Sequence, residues 1–143
     1  MFSTIVVGTD GSDSASEAVV LAAGLARSDG SVVHLVTVHR ETSGGLSVPI
    51  AGVAAADSGV TSALVAERSQ EILDQAAALL EGVTVERHAE SGNVADVLIA
   101  IAAEINADLI VVGNKGMDRR IFGSVPNSVA HSAPCSVLVV KTT

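Results

Sequence analysis

Three of the eight basic residues in this chain, Lys115, Arg119 and Arg120, fall within Gly113–Ser124, GNKGMDRRIFGS, beside three glycines. Asp118 is the one acid there, so the segment is net positive while five basic and fifteen acidic residues make up the rest. A local positive charge in an acidic chain suits a small anion. Glycine strengthens the reading, because a backbone without Cβ can turn its N–H groups inward around a phosphate. Gly123 and Ser124 open a predicted helix, whose unpaired N–H groups and dipole attract an anion. Pro126 fits a helix start, since it removes a donor that would lack a partner anyway. Asp10, after the first apolar run, is poor company for phosphate but a good acceptor for a ribose hydroxyl. Each residue also has a plainer role: turn glycines, an Asx turn at Asp10, a helix cap at Ser124, a solvated basic loop. Neither GxxxxGK[ST] nor GxGxxG occurs, so this is not a P-loop or a dinucleotide fingerprint.

The bulk properties narrow the partners. The net charge is −8 over 143 residues, and aromatic residues are 1% of the chain. Such a chain repels a phosphate polymer and lacks the stacking platforms used for single strands, so no nucleic-acid partner is expected. No apolar run reaches the length of a membrane span, and the N-terminus has no basic region or cleavage signature, so no membrane association and a cytoplasmic location are expected. Cys135 is the sole cysteine; it reads as a buried structural thiol, with redox sensing the lesser alternative. His34, His39, His88 and His131 lack ligand spacing, so no metal site is expected. No GxSxG elbow or Ser-His-Asp order appears. No general base can be named, so no catalytic residue is assigned and slow ATP hydrolysis is the most that is expected.

These groups must be positioned by alternating strands and helices. Strands are predicted at Ile5–Gly8, Val32–Val38, Val83–Ala89, Leu109–Val112 and Ser136–Val140. The third has a mixed pattern suited to an edge. Helices are predicted after Ser14-Ala15-Ser16-Glu17, which has capping-box spacing, and from about Thr61 to Leu80. Their inner faces are read as Ala18, Val19, Leu21, Ala22, Leu25 and Ala26, and as Leu64, Ile72, Leu73, Ala76, Leu79 and Leu80. Another helix follows the cap Asn93, and a short one runs from about Ser124 to Ser132. Arg40 to Val60 is read as a connection with some helix near its end. Alternation of this kind gives one α/β domain over 1–143: a doubly wound, open five-stranded parallel sheet with helices on both faces. The order 3-2-1-4-5 follows, with the reversal between strands one and four, where ligands of open α/β sheets settle. Both strands beside that crevice end in glycine turns, Gly8-Thr9-Asp10-Gly11 and Gly113-Asn114-Lys115-Gly116. The fifth strand leaves an apolar edge, so pairing with a twofold mate through residues 136–140 is expected.

IVVGTDGSDSASEAV, ADLIVVGNKG and GSVPNSVAHSAPCSVLVV, in that order, resemble the universal stress protein family over essentially the whole chain. The resemblance implies an adenine nucleotide alpha hydrolase-like fold, a homodimer through the last strand, and a stress-response binding module. One subset of that family binds ATP or a related adenine nucleotide through Gly-x₂-Gly, usually nine residues, then Gly-Ser or Gly-Thr. Gly113, Gly116, Gly123 and Ser124 match that pattern. By the same resemblance Asp10 holds the ribose, Thr9 and Val38 edge the adenine, Val112 lies beneath it, and Val125 approaches the phosphates. The departure is the loop: only six residues, MDRRIF, separate Gly116 from Gly123. A shorter loop weighs against ATP, with or without Mg2+, relative to AMP or cyclic AMP. Arg119 and Arg120 could reach the phosphates in compensation, or face solvent or a partner subunit. A weak nucleotidase and a structural member that binds no nucleotide are the alternatives.

Overall fold

Short runs of branched aliphatics alternate along the chain with alanine-rich stretches of helical period, and the backbone follows that alternation. The computed structural model describes residues 1–39, 54–114 and 124–141, of which 54–61 and 124 are described by backbone alone. In chain order the elements are β1 (Thr4–Gly8), α1 (Asp13–Asp29), β2 (Val32–His39), α2 (Ala54–Ala78), β3 (Thr84–Ser91), α3 (Val94–Glu104), β4 (Leu109–Gly113), α4 (Ser124–Ser132) and β5 (Ser136–Val140). All strand pairs are parallel and the sheet order is β3-β2-β1-β4-β5. The expected order and the expected reversal between β1 and β4 are both present.

Each central strand buries both faces, which is why it reads as an unbroken apolar run. Ile5, Val7, Leu35 and Val111 face α1 and α2, while Val6, Val36, Ile110 and Val112 face α3 and α4. On α1, Ala18, Ala22 and Ala26 recur every four residues and are buried. Their small side chains let the helix axis lie close to the sheet. Leu98 of α3 is fully buried, and removing such a side chain from water contributes about 1.5–3 kcal/mol.

Three local readings need correction. The residue capping α1 is Ser12, whose side chain accepts from the Ala15 N–H, and not Ser14. Helix α2 begins at Ala54 and not near Thr61, so the helix expected near the end of residues 40–60 is the start of this one and not a separate piece. Its buried face is Ile72, Leu73, Ala76 and, just past its end, Leu80, whereas Leu64 is 58% exposed, and Leu79 and Leu21 are also exposed. Asn93 caps α3 as expected, accepting from the Asp96 N–H at 3.1 Å. Gly30 ends α1 at φ 71°, the left-handed conformation that glycine adopts at least cost.

The N-terminal residues are tied to the base of the sheet. The Asp108 carboxylate accepts from the N–H groups of Ser3 and Thr4 at 2.8 and 2.9 Å. The Asp29 carboxylate accepts from the Phe2 N–H at 2.9 Å. These backbone bonds hold both carboxyls below the usual carboxylate range. Among the described residues no helix is long and apolar enough to cross a membrane.

Candidate functional site

The carboxyl ends of β1 and β4 lie side by side, and β1 continues into a tight turn. Past Gly8 the Thr9 N–H still donates to the Val36 carbonyl at 2.8 Å, so β1 keeps its pairing with β2 for one more residue. The buried Thr9 hydroxyl then accepts from the Gly11 N–H at 3.3 Å. Asp10 Oδ1 accepts from the Ser12 N–H at 2.9 Å, closing an Asx turn. Gly11 takes φ +83°, which reverses the chain into α1. Short side chains thus wire the turn, and Asp10 stands exposed at its crest. The plainer reading of Asp10 as an Asx turn is realised. A carboxylate offers about four lone-pair positions, so one backbone bond leaves acceptor capacity for a ligand.

On the opposite wall, Gly113 has no room for a side chain. An ideal Cβ there would lie 2.6 Å from Ser14 Oγ and 2.9 Å from the Ser14 carbonyl oxygen. The first turn of α1 therefore rests directly on the end of β4. The Asn114 N–H donates to the Val140 carbonyl at 3.1 Å, carrying the β4–β5 pairing one residue past the strand. Val112 is buried beneath this corner in the α3–α4 core, against which Val38 and Val125 are partly buried. Thr9, Asp10, Val38, Val112 and Gly113 accordingly stand at the carboxyl ends of β1, β2 and β4. Gly116, Arg119, Arg120 and Gly123 lie outside the described residues, and Ser124 is placed by its backbone as the first residue of α4.

Two features escaped sequence reading. Arg68, on α2, comes within 3.4 Å of where a Cβ on Gly11 would sit, placing a cation beside the Asp10 turn. Helical periodicity gives no sign of which turn of a crossover helix passes a given loop. The second is a cluster that chain spacing hides. The register of β2 and β3 sets His34 opposite Glu86, and His34 Nδ1 lies 2.9 Å from His88 Nε2 and 3.5 Å from Glu86 Oε2. Burial pushes the His34 pKa down, and Glu86 works against that shift. Elsewhere, Cys135 is partly buried and its thiol is pushed up by burial, with the Asp108 charge adding to the shift. That environment disfavours the reactive thiolate. His131 is exposed on α4.

Comparison with known proteins gives one consistent result. The model of the universal stress protein family matches residues 1–141. A universal stress protein of Methanocaldococcus jannaschii is 33% identical over 147 residues, covering 99% of this chain and 83% of that one. One from Mycobacterium tuberculosis is 33% identical over 148 residues, covering 99% and 98%. Among solved structures, a universal stress protein in complex with cAMP has a TM-score of 0.70 at 31% identity, covering 99% of this chain and 98% of that one. The Archaeoglobus fulgidus universal stress protein in complex with dAMP has a TM-score of 0.67 at 27% identity, covering 97% and 98%.

Proposed function

This chain belongs to the universal stress protein family, and we propose that it is a non-catalytic module whose state depends on an adenine nucleotide held between the carboxyl ends of β1 and β4. The observation that carries this reading is the corner where Gly113 meets the first turn of α1 with no space for a Cβ, at the reversal of the sheet beside β1, after which Asp10 stands exposed. Ligands of open α/β sheets settle at such reversals. In this reading Asp10 accepts from the ribose hydroxyls, Thr9 and Val38 edge the base, and Val112 lies beneath it. Gly113, Gly116, Gly123, Ser124 and Val125 supply the phosphate side, with Arg119 and Arg120 as its charge. The complexes of two relatives with cAMP and dAMP support an adenine nucleotide as the ligand class.

Monophosphates are favoured over ATP, because the six-residue spacing between Gly116 and Gly123 leaves less chain to surround three phosphates. The ligand would bind one conformation better and so bias contacts with partner proteins. Calorimetric titration with ATP, AMP and cyclic AMP tests the proposal. Asp10→Ala and Gly116→Val should each weaken binding by at least about tenfold, as expected when charge-assisted bonds or the close backbone approach are lost. Equal affinity in both variants with the fold intact would refute it.

A further inference from the structure

The cluster on β2 and β3 lies on the face of the sheet that α3 and α4 pack against, towards its β3 edge. His34, Glu86 and His88 occupy that face. His34 is 7% exposed, His88 is partly buried, and Glu86 is 64% exposed at the edge of the sheet. The three side chains each offer a ligand atom, and these atoms lie within 4.8 Å of one another. We propose that His34, Glu86 and His88 form a solvent-accessible site for a divalent transition-metal ion of the zinc class.

The distances carry the argument. Zinc binds nitrogen and oxygen at about 2.0–2.1 Å, so two donors at angles between 90° and the tetrahedral value lie about 2.9–3.4 Å apart. The His34–His88 separation of 2.9 Å stands at the lower end of that range, and the His34–Glu86 separation of 3.5 Å lies just past its upper end. Ligands of one ion can be no farther apart than about 4.1 Å. Glu86 and His88 can meet that limit by a rotamer change at Glu86, whose exposed side chain is free to turn. Imidazole nitrogen with one carboxylate oxygen suits zinc and its neighbours and not the oxygen-seeking calcium or magnesium. Three protein ligands leave a further position for water, as in open zinc sites.

The ring geometry describes the ion-free state. The centroids are 5.1 Å apart with planes 29° apart, while the two nitrogens are only 2.9 Å apart. The rings therefore meet nearly end to end through one shared proton and do not lie face to face. An ion does not fit on the 2.9 Å line between the nitrogens, so on binding both rings tilt until their lone pairs converge on it from one side, displacing that proton. The donor ring passes its proton to its other nitrogen, so both lone pairs face the ion and the net proton count is unchanged. The nearest cation on the strand is turned away: Arg87 pairs with Asp74 of α2 on the opposite face. Glu90, two residues beyond His88 on the same strand, adds negative charge. His34 is fixed by the central packing of β2, which supplies the rigid support a ligand set needs.

The plainer role for the pair is a hydrogen bond that pins the edge strand, and metal titration separates the two. The metal-free 143-residue chain is titrated with Zn2+ against a chromophoric chelator, and Co2+ is used separately to read the visible spectrum. One Zn2+ should bind with micromolar or tighter affinity. His88→Ala and Glu86→Gln should each weaken it by at least about tenfold, since even outer-shell losses at metal sites reach that size. His39→Ala and His131→Ala should leave it unchanged. Circular dichroism checks each fold, and Glu86→Gln, at an exposed position, keeps the test valid if His88→Ala misfolds. Affinity weaker than about 1 mM, or affinity retained in well-folded Glu86→Gln, would overturn the proposal.

Discussion

Replacing Gly113 with alanine isolates the contact between β4 and α1. The backbone at Gly113 is not in the left-handed region, so alanine meets no conformational penalty there and the whole effect is one of contact. The new methyl would sit 2.6 Å from Ser14 Oγ and 2.9 Å from the Ser14 carbonyl oxygen. Both distances are far inside ordinary van der Waals approach, and the second neighbour is backbone that cannot rotate away. Overpacking of this kind costs about 1–3 kcal/mol, which for a domain of this length lowers the melting temperature by roughly 3–10 °C. Urea denaturation of the ligand-free protein measures it directly. A double-mutant cycle with Ser14→Ala then divides the clash between the hydroxyl and the carbonyl. Removing the hydroxyl should recover part of the loss, with a coupling of about 0.5 kcal/mol or more, while the carbonyl contact remains. A loss below about 0.5 kcal/mol in Gly113→Ala, or strict additivity in the cycle, would show that the corner is looser than these distances require.

Other outcomes follow from features away from that corner. Asp108 is held below its ordinary pKa of 3.8 by two backbone N–H groups, so its contribution to stability is present above that value and is lost as pH falls through the lowered one. Asp108→Asn should therefore flatten the acid limb of a melting-temperature profile, and an unchanged limb would count against the backbone bonds. Gly30→Ala should destabilise by about 1 kcal/mol because Gly30 sits at φ 71°; chemical denaturation would show it, and a neutral result would contradict the left-handed cap. Finally, Val139 is 40% exposed on β5. If two copies pair along β5, Val139→Lys should shift the light-scattering mass from dimer to monomer, and a wild-type monomer at micromolar concentration would remove the pairing itself.

The sheet topology was legible for different reasons than the parts that escaped. The central strands announce themselves because both faces are buried, which leaves no polar interruption in Ile5–Val7 or Leu109–Val112. The reversal between β1 and β4 then follows from connectivity. Helix α2 was less legible at both ends of its face. At about 1.5 Å per residue its 25 residues span roughly 37 Å, while the eight residues of β2 span about 26 Å. The helix overhangs the sheet, so Leu64 keeps the period of a buried residue without a surface to cover it. The cap of α1 was ambiguous because serines stand at both Ser12 and Ser14, and only the turn at Gly11 decides between them. His34 and His88 are 54 positions apart, so no local pattern could bring them together; the β2–β3 register does.

The two margins of the sheet differ sharply in kind. Along β3 the outer strand carries Glu86, Arg87, His88 and Glu90, a row that resists a stranger's backbone. Along β5 the outer strand is Ser136-Val137-Leu138-Val139-Val140, which does not. A molecule adhesive on one margin alone cannot propagate. Any copy that joined there by a twofold operation would use up that border on both, and pairing through it would stop at a closed pair instead of lengthening into a ribbon.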